Sequence, residues 1–146
     1  MLNNNLLHTQ TVQLCKALQS ILVEDKQQLS DLAAKITNDT PNAVAEDYAF
    51  VMRVLETFSD DFYKSGSLNK PKGSILLLLS YNEAYIMNVM PVLHALAAGN
   101  TVYVRPSSAA LSFTRNIWTK ALLMCPELTD KLQFLDESYE NIYQRI

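Results

Sequence analysis

The chain has 146 residues, 49% of them hydrophobic and 18% charged, with a net charge of −3. That composition fits one folded domain, or one and a piece, with a sizeable core, and excludes an intrinsically disordered chain. No basic stripe offers a footprint for nucleic acid, no apolar run is long enough for a membrane span, and the amino terminus lacks the basic start and apolar core of a signal peptide.

Residues 6–37 read as helix: Val12, Cys15, Leu18 and Leu22 recur at spacings of three and four, and Leu29, Leu32, Ala33 and Ile36 continue the stripe. Asn38-Asp39-Thr40-Pro41 breaks it, with capping chemistry and a proline at a helix start. A third helical stretch carries Val44, Tyr48, Val51, Leu55 and Phe58 on one face. Ser65–Gly73 is a polar connector bearing glycine and proline, and the best boundary in the chain. It divides an N-terminal helical region, 1–70, from a second region, 71–146.

After the connector the pattern alternates. Ser74–Ser80 is an uninterrupted apolar run of the kind found in strands buried on both faces. A helix from about Ala84 to Ala98 follows, then a strand at 101–105, a helix from about Ala109 to Met124, and a short strand at Leu132–Leu135. Asp136 stands where it could cap a last helix carrying Tyr139, Ile142, Tyr143 and Ile146. Helices followed by β-α-β-α-β-α predict an α/β chain, with a three-stranded parallel sheet that is half of a Rossmann-like fold.

Two strand ends carry the candidate chemistry. Arg105-Pro106-Ser107-Ser108 presents a guanidinium and two hydroxyls where open α/β sheets bind ligands, and planar guanidinium donors suit phosphate oxygens. The alternative is an exposed strand end with Ser107 or Ser108 capping the next helix. Leu79-Ser80-Tyr81-Asn82 closes the first strand, and Asn82 there is either a donor to a developing oxyanion or a helix N-cap. Cys15 lies on an apolar helix face and Cys125 precedes Pro126 without a histidine beside it, so neither reads as a nucleophile. The cysteines suggest no disulfide framework or metal site, and a reducing, cytoplasmic setting is expected. His8, in a frayed terminus, and His94, in a helix, read as structural or exposed. The acidic pairs Glu46-Asp47, Asp60-Asp61 and Glu137 with Glu140 read as solvated helix faces.

The segment Pro91–Ser107, PVLHALAAGNTVYVRPS, resembles the aldehyde dehydrogenases, which carry ALAAGN-T-V-V-x-K-P-S-E at this point. Asn82 precedes Gly99 by 17 residues, the interval that separates the family's Pro-Trp-Asn from the same glycine. Pro91 is similar to the branch acting on fatty and aromatic aldehydes, which reads WNYPF…QPMVGAIAAGN. The resemblance implies an NAD(P)-dependent oxidation of aldehydes through a thioester in a complete enzyme. It further implies that Leu79, Ser80, Tyr81, Arg105, Ser107 and Ser108 line a cofactor site in 71–146, and that Asn82 stabilises an oxyanion. Arg105 replaces the family's Lys and Ser108 its Glu; loss of that carboxylate leads us to expect NADP to be tolerated or preferred over NAD.

The family's catalytic Cys and Glu have no counterpart in residues 1–146, so an N-terminal piece or short homologue, inactive alone, is expected. With a fourth strand absent, the edge Ile75–Leu79 is expected to pair in a homo-oligomer or with a partner chain. An alternative is a non-catalytic interaction module that binds a protein through that edge and the Val44–Phe58 stripe.

Overall fold

The computed structural model describes residues 4–64 and 71–144; side chains are described from Leu7 onward, except those of Tyr139 and Tyr143. Most of the connector, 65–70, and with it the 70/71 boundary, lies outside the described residues, as does Ile146. Helices α1 (Asn4–Glu24), α2 (Lys26–Thr37) and α3 (Pro41–Lys64) precede β1 (Ser74–Leu79), α4 (Ala84–Ala97), β2 (Thr101–Pro106), α5 (Leu111–Met124), β3 (Leu132–Phe134) and α6 (Tyr139–Tyr143).

The helical stretch 6–37 is divided between α1 and α2. The break falls at Asp25, whose carboxylate pairs with Lys120 of α5. Neither glycine nor proline marks it, and helical bonds continue on both sides, from Asp25 N–H to the Ile21 carbonyl and from Leu29 N–H to that of Asp25, each at 2.9 Å. The apolar stripe therefore runs on through the break. At the next break, Asn38 ends α2 in the left-handed region at φ 58°. Thr40 Oγ1 then accepts from the Ala43 amide at 3.2 Å, with Pro41 opening α3. Val44, Tyr48, Val51, Leu55 and Phe58 are all buried, in a core that α3 forms with α1, α2 and α4. The stripe is thus interior and offers no surface to a partner.

The sheet is parallel in the order β1-β2-β3, with Ile75 opposite Val102, Leu77 opposite Val104 and Leu79 opposite Pro106. The strand faces alternate. One face, with Ile75, Leu77, Leu79, Val102, Val104 and Leu132, joins a single core with α1–α5. The other carries Leu76, Leu78, Tyr103 and Arg105. The apolar run of β1 is therefore not buried on both faces: only Leu79 is fully buried and Leu78 is 42% exposed. Among the described residues β1 has one strand neighbour and a helical layer on one side.

The AAGN turn is built into this frame. Gly99 has φ 83°, and a Cβ there would come within 3.1 Å of Pro71. Buried Asn100 accepts from the Lys72 and Gly73 amides at 2.7 and 3.1 Å and donates to the Ala95 carbonyl at 3.0 Å, so it ties the start of β1 to the end of α4. At the other end of the chain Asp136 does not cap α6. Ser138 Oγ accepts from the Asn141 amide at 3.3 Å, while Asp136 pairs with Arg115 of α5.

Candidate functional site at the strand ends

Parallel pairing brings the ends of β1 and β2 together. The Ser107 amide donates to the Leu79 carbonyl at 3.0 Å, beyond the register pair Leu79–Pro106. The Ser80–Glu83 turn and the Arg105–Ser108 segment are therefore neighbours. Ser80 is half-buried; Tyr81, Asn82 and Ser108 are exposed. Ser80 Oγ accepts from the Asn82 amide at 3.2 Å. Ser107 Oγ accepts from the Ala110 amide at 3.3 Å, which closes the turn before α5, and α5 itself has no side-chain cap, so neither Ser107 nor Ser108 caps it. Half-buried Arg105 is held by the chain itself: its Nε donates to the Glu137 carbonyl at 2.8 Å and its Nη1 to the Pro106 carbonyl.

The Ser80–Glu83 turn is clamped from both sides. Glu83 lies in the left-handed region at φ 49° and makes no side-chain cap for α4, a backbone state that costs a non-glycine residue about 1 kcal/mol. The cap comes from α3. Asp47 Oδ2 accepts from the Tyr85 amide at 2.8 Å and Oδ1 from the Ile86 amide at 3.0 Å. Asp47 is thus no solvated face residue, and it supplies the cap for which Asn82 was the candidate. Burial pushes its carboxyl above the ordinary 3.8 despite those two bonds, and Glu83 and Asp39 add to the rise. The N-terminus of α4, a natural anion seat, already holds a carboxylate.

On the other side stands Asn88, fully buried. Its Nδ2 donates to the Ser80 and Ala84 carbonyls at 3.2 and 2.9 Å. Its Oδ1 accepts from Thr114 Oγ1 at 2.7 Å, and its main-chain carbonyl from Trp118 Nε1 at 2.8 Å. Sequence reading missed both Asp47 and Asn88; a buried-type position held by an Asn inside an apolar helix was the one available signal.

Neither thiol is activated. Burial pushes Cys15 up to about 12 and raises Cys125, with Glu127 adding to the rise. His8 belongs to α1 rather than to a frayed end, with Nε2 3.7 Å from Asp60 Oδ1 and its ring edge-on to Tyr63. His94 is exposed and sets its ring edge-on to Phe58 at 4.8 Å. Among the described residues no group of three or more His, Cys, Asp or Glu could hold a metal ion, and no helix is long and apolar enough to cross a membrane. A groove of about 580 Å³ runs between α2, α3 and the start of α4; Asp47, Glu83 and Ala84 are among its lining, so it borders the Ser80–Glu83 turn on the α3 side.

The family model described as the aldehyde dehydrogenase family matches residues 8–122. The chain belongs to the aldehyde dehydrogenase family. Its fold is that of aldehyde dehydrogenases of known structure. The succinic semialdehyde dehydrogenase of Streptococcus pyogenes, solved with NADP+ as the cofactor, matches with a TM-score of 0.72 at 16% identity. An NAD-dependent benzaldehyde dehydrogenase from Corynebacterium glutamicum matches with a TM-score of 0.69 at 12% identity. In both cases 95% of this chain is covered but only 33% of the other, so the chain spans about a third of the length of the aldehyde dehydrogenases it matches.

Proposed function

We propose that the ends of β1 and β2 bind the adenosine end of a nicotinamide cofactor, with Leu79, Ser80, Tyr81, Arg105, Ser107 and Ser108 as its contacts. The observation that carries this reading is the Ser107–Leu79 hydrogen bond, which makes neighbours of the segment bearing Ser80 and Tyr81 and the segment bearing Arg105, Ser107 and Ser108, at the carboxyl ends of two parallel strands. The fit is to ribose hydroxyls and a phosphate: Ser80, Ser107 and Ser108 offer donors and acceptors, and Arg105 offers a positive charge. With Ser108 in place of a carboxylate, a 2′-phosphate meets no repulsion, and NADP is tolerated or preferred over NAD.

Family membership supports, for the complete enzyme, the oxidation of aldehydes with hydride passed to the bound cofactor. Asn82, exposed and relieved of capping by Asp47, is the oxyanion donor wherever a nucleophile is supplied. Residues 1–146 hold only two buried thiols of raised pKa, so we expect this chain by itself to bind cofactor weakly and not to turn over. The edge Ile75–Leu79 seats a second copy or a partner chain, and the setting is cytoplasmic. Calorimetric titration with NADP tests the reading: saturable binding in the wild type, lost in Arg105→Ala, supports it, and heats of dilution alone from both proteins refute it.

A further inference from the structure

We propose that Asp47 is a positioning residue for the strand-end site: reaching across from α3, its carboxylate caps α4 and holds the Ser80–Glu83 turn in the shape that presents Tyr81 and Asn82. The inference rests on reading that turn as the site proposed above.

A helix start needs acceptors for its first amides, and a local Ser, Thr, Asp or Asn ordinarily provides them. Here the residue before α4 is Glu83, whose left-handed backbone takes its side chain out of reach. Asn82, one residue earlier, carries an amide suited to capping but is not used for it. The acceptors come instead from a residue 38 positions upstream, one carboxylate oxygen to each of the Tyr85 and Ile86 amides. The placement is fixed by packing. Tyr48, next to Asp47, is in the α3 core stripe and meets the Tyr85 ring edge-on at 5.4 Å. Tyr85 Oη is 3.0 Å from Ser30 Oγ of α2. Helices α2 and α3 thus converge on the residue of α4 that Asp47 caps.

The turn is pinned at its entry by Asn88 on the Ser80 carbonyl and at its exit by Asp47. Between the pins lie the exposed Tyr81 and Asn82 and the left-handed Glu83. Holding the exit this way is unfavourable on its own terms: the carboxylate is half-buried beside Glu83 and Asp39, and its protonated form is favoured relative to water. The arrangement leaves both outward side chains uncommitted to the helix they precede.

Amide hydrogen exchange and amide chemical shifts of wild type, Asp47→Ala, Asp47→Asn and the neighbouring control Glu46→Ala, with NADP titrations in parallel, test this. Asp47→Ala is expected to lower protection at Tyr85 and Ile86 about tenfold, to move the Tyr81 and Asn82 resonances, and to weaken NADP binding by a similar factor. Val102 and Trp118 should keep their protection, and Glu46→Ala should match wild type. Asp47→Asn, with one acceptor in place of two, should restore one of the two amides, and it carries the comparison should Asp47→Ala not fold. Tyr81 and Asn82 resonances that stay in place while Tyr85 and Ile86 lose protection, or a uniform loss across the core, overturn the proposal. Absence of NADP binding by the wild type refutes the site reading alone, because exchange and shifts still decide whether Asp47 sets the turn.

Discussion

The amide of Ser107 donates to the carbonyl of Leu79 at 3.0 Å, one residue past the last register pair of β1 and β2. That bond makes neighbours of two segments, Leu79–Tyr81 and Arg105–Ser108, that carry every side chain assigned to the cofactor. It also sets what a change at one tip does to the other.

Cofactor choice is the first consequence. Ser108 is exposed at the start of the turn before α5. In Ser108→Glu a carboxylate accepts from a 2′-hydroxyl and repels a 2′-phosphate. The ratio of dissociation constants for NADP over NAD should rise about tenfold, equivalent to about 1.4 kcal/mol. Competitive calorimetry on wild type and variant reads it, and a wild type that clearly prefers NAD contradicts the assignment.

The open edge is the second. β1 presents six residues, Ser-Ile-Leu-Leu-Leu-Leu, without charge or proline, which is the kind of edge that pairs. Leu78, 42% exposed, is the natural place for a gatekeeper. Light scattering should give the wild type a mass above 16.5 kDa, and Leu78→Lys should return it to that of one chain. A monomeric wild type at high concentration contradicts edge pairing.

Thiol chemistry gives a third. With Cys15 pushed up to about 12 and Cys125 raised, both by burial first, thiolate is scarce at neutral pH. Labelling with a disulfide reagent at pH 8 should be about a hundredfold slower in the native protein than in guanidinium. Raising the pH to 9 should not close that gap, since an upward-shifted thiol remains protonated there. Rapid native labelling of Cys125 would sink the conclusion that neither thiol can serve as nucleophile.

Asn88 is the fourth. Its side chain donates to the Ser80 and Ala84 carbonyls and accepts from Thr114, the last two in the interior. Asn88→Ala removes those bonds, although Thr114 Oγ1 keeps the Ala110 carbonyl at 2.9 Å, and should destabilise the protein by about 3 kcal/mol in urea unfolding. A loss under 1 kcal/mol would mean that water replaces the side chain without penalty.

Much of this architecture was legible from residue spacing. Val44, Tyr48, Val51, Leu55 and Phe58 announce one buried face because a helix shows its partner a single stripe. The order of strands and helices after residue 73 follows from alternation alone. What stayed hidden was set by distant partners. Asp25, paired with Lys120, stands between α1 and α2 with no glycine or proline to mark the place. Asp136 and Ser138 are both competent caps, and Arg115 decides between them. Asp47 sits beside an exposed glutamate and looks like a surface charge until the start of a helix 38 residues on is folded against it. Arg105 was legible as a cation at a strand end, but its bond to the Glu137 carbonyl depends on where the chain passes after β3.

Amide chemical-shift mapping during titration with NADP bears most directly on the nucleotide assignment. Perturbations confined to Leu79–Asn82 and Arg105–Ser108, absent in Arg105→Ala, are the expected result. Shifts centred on the groove between α2 and α3, or none at saturating cofactor, would contradict it.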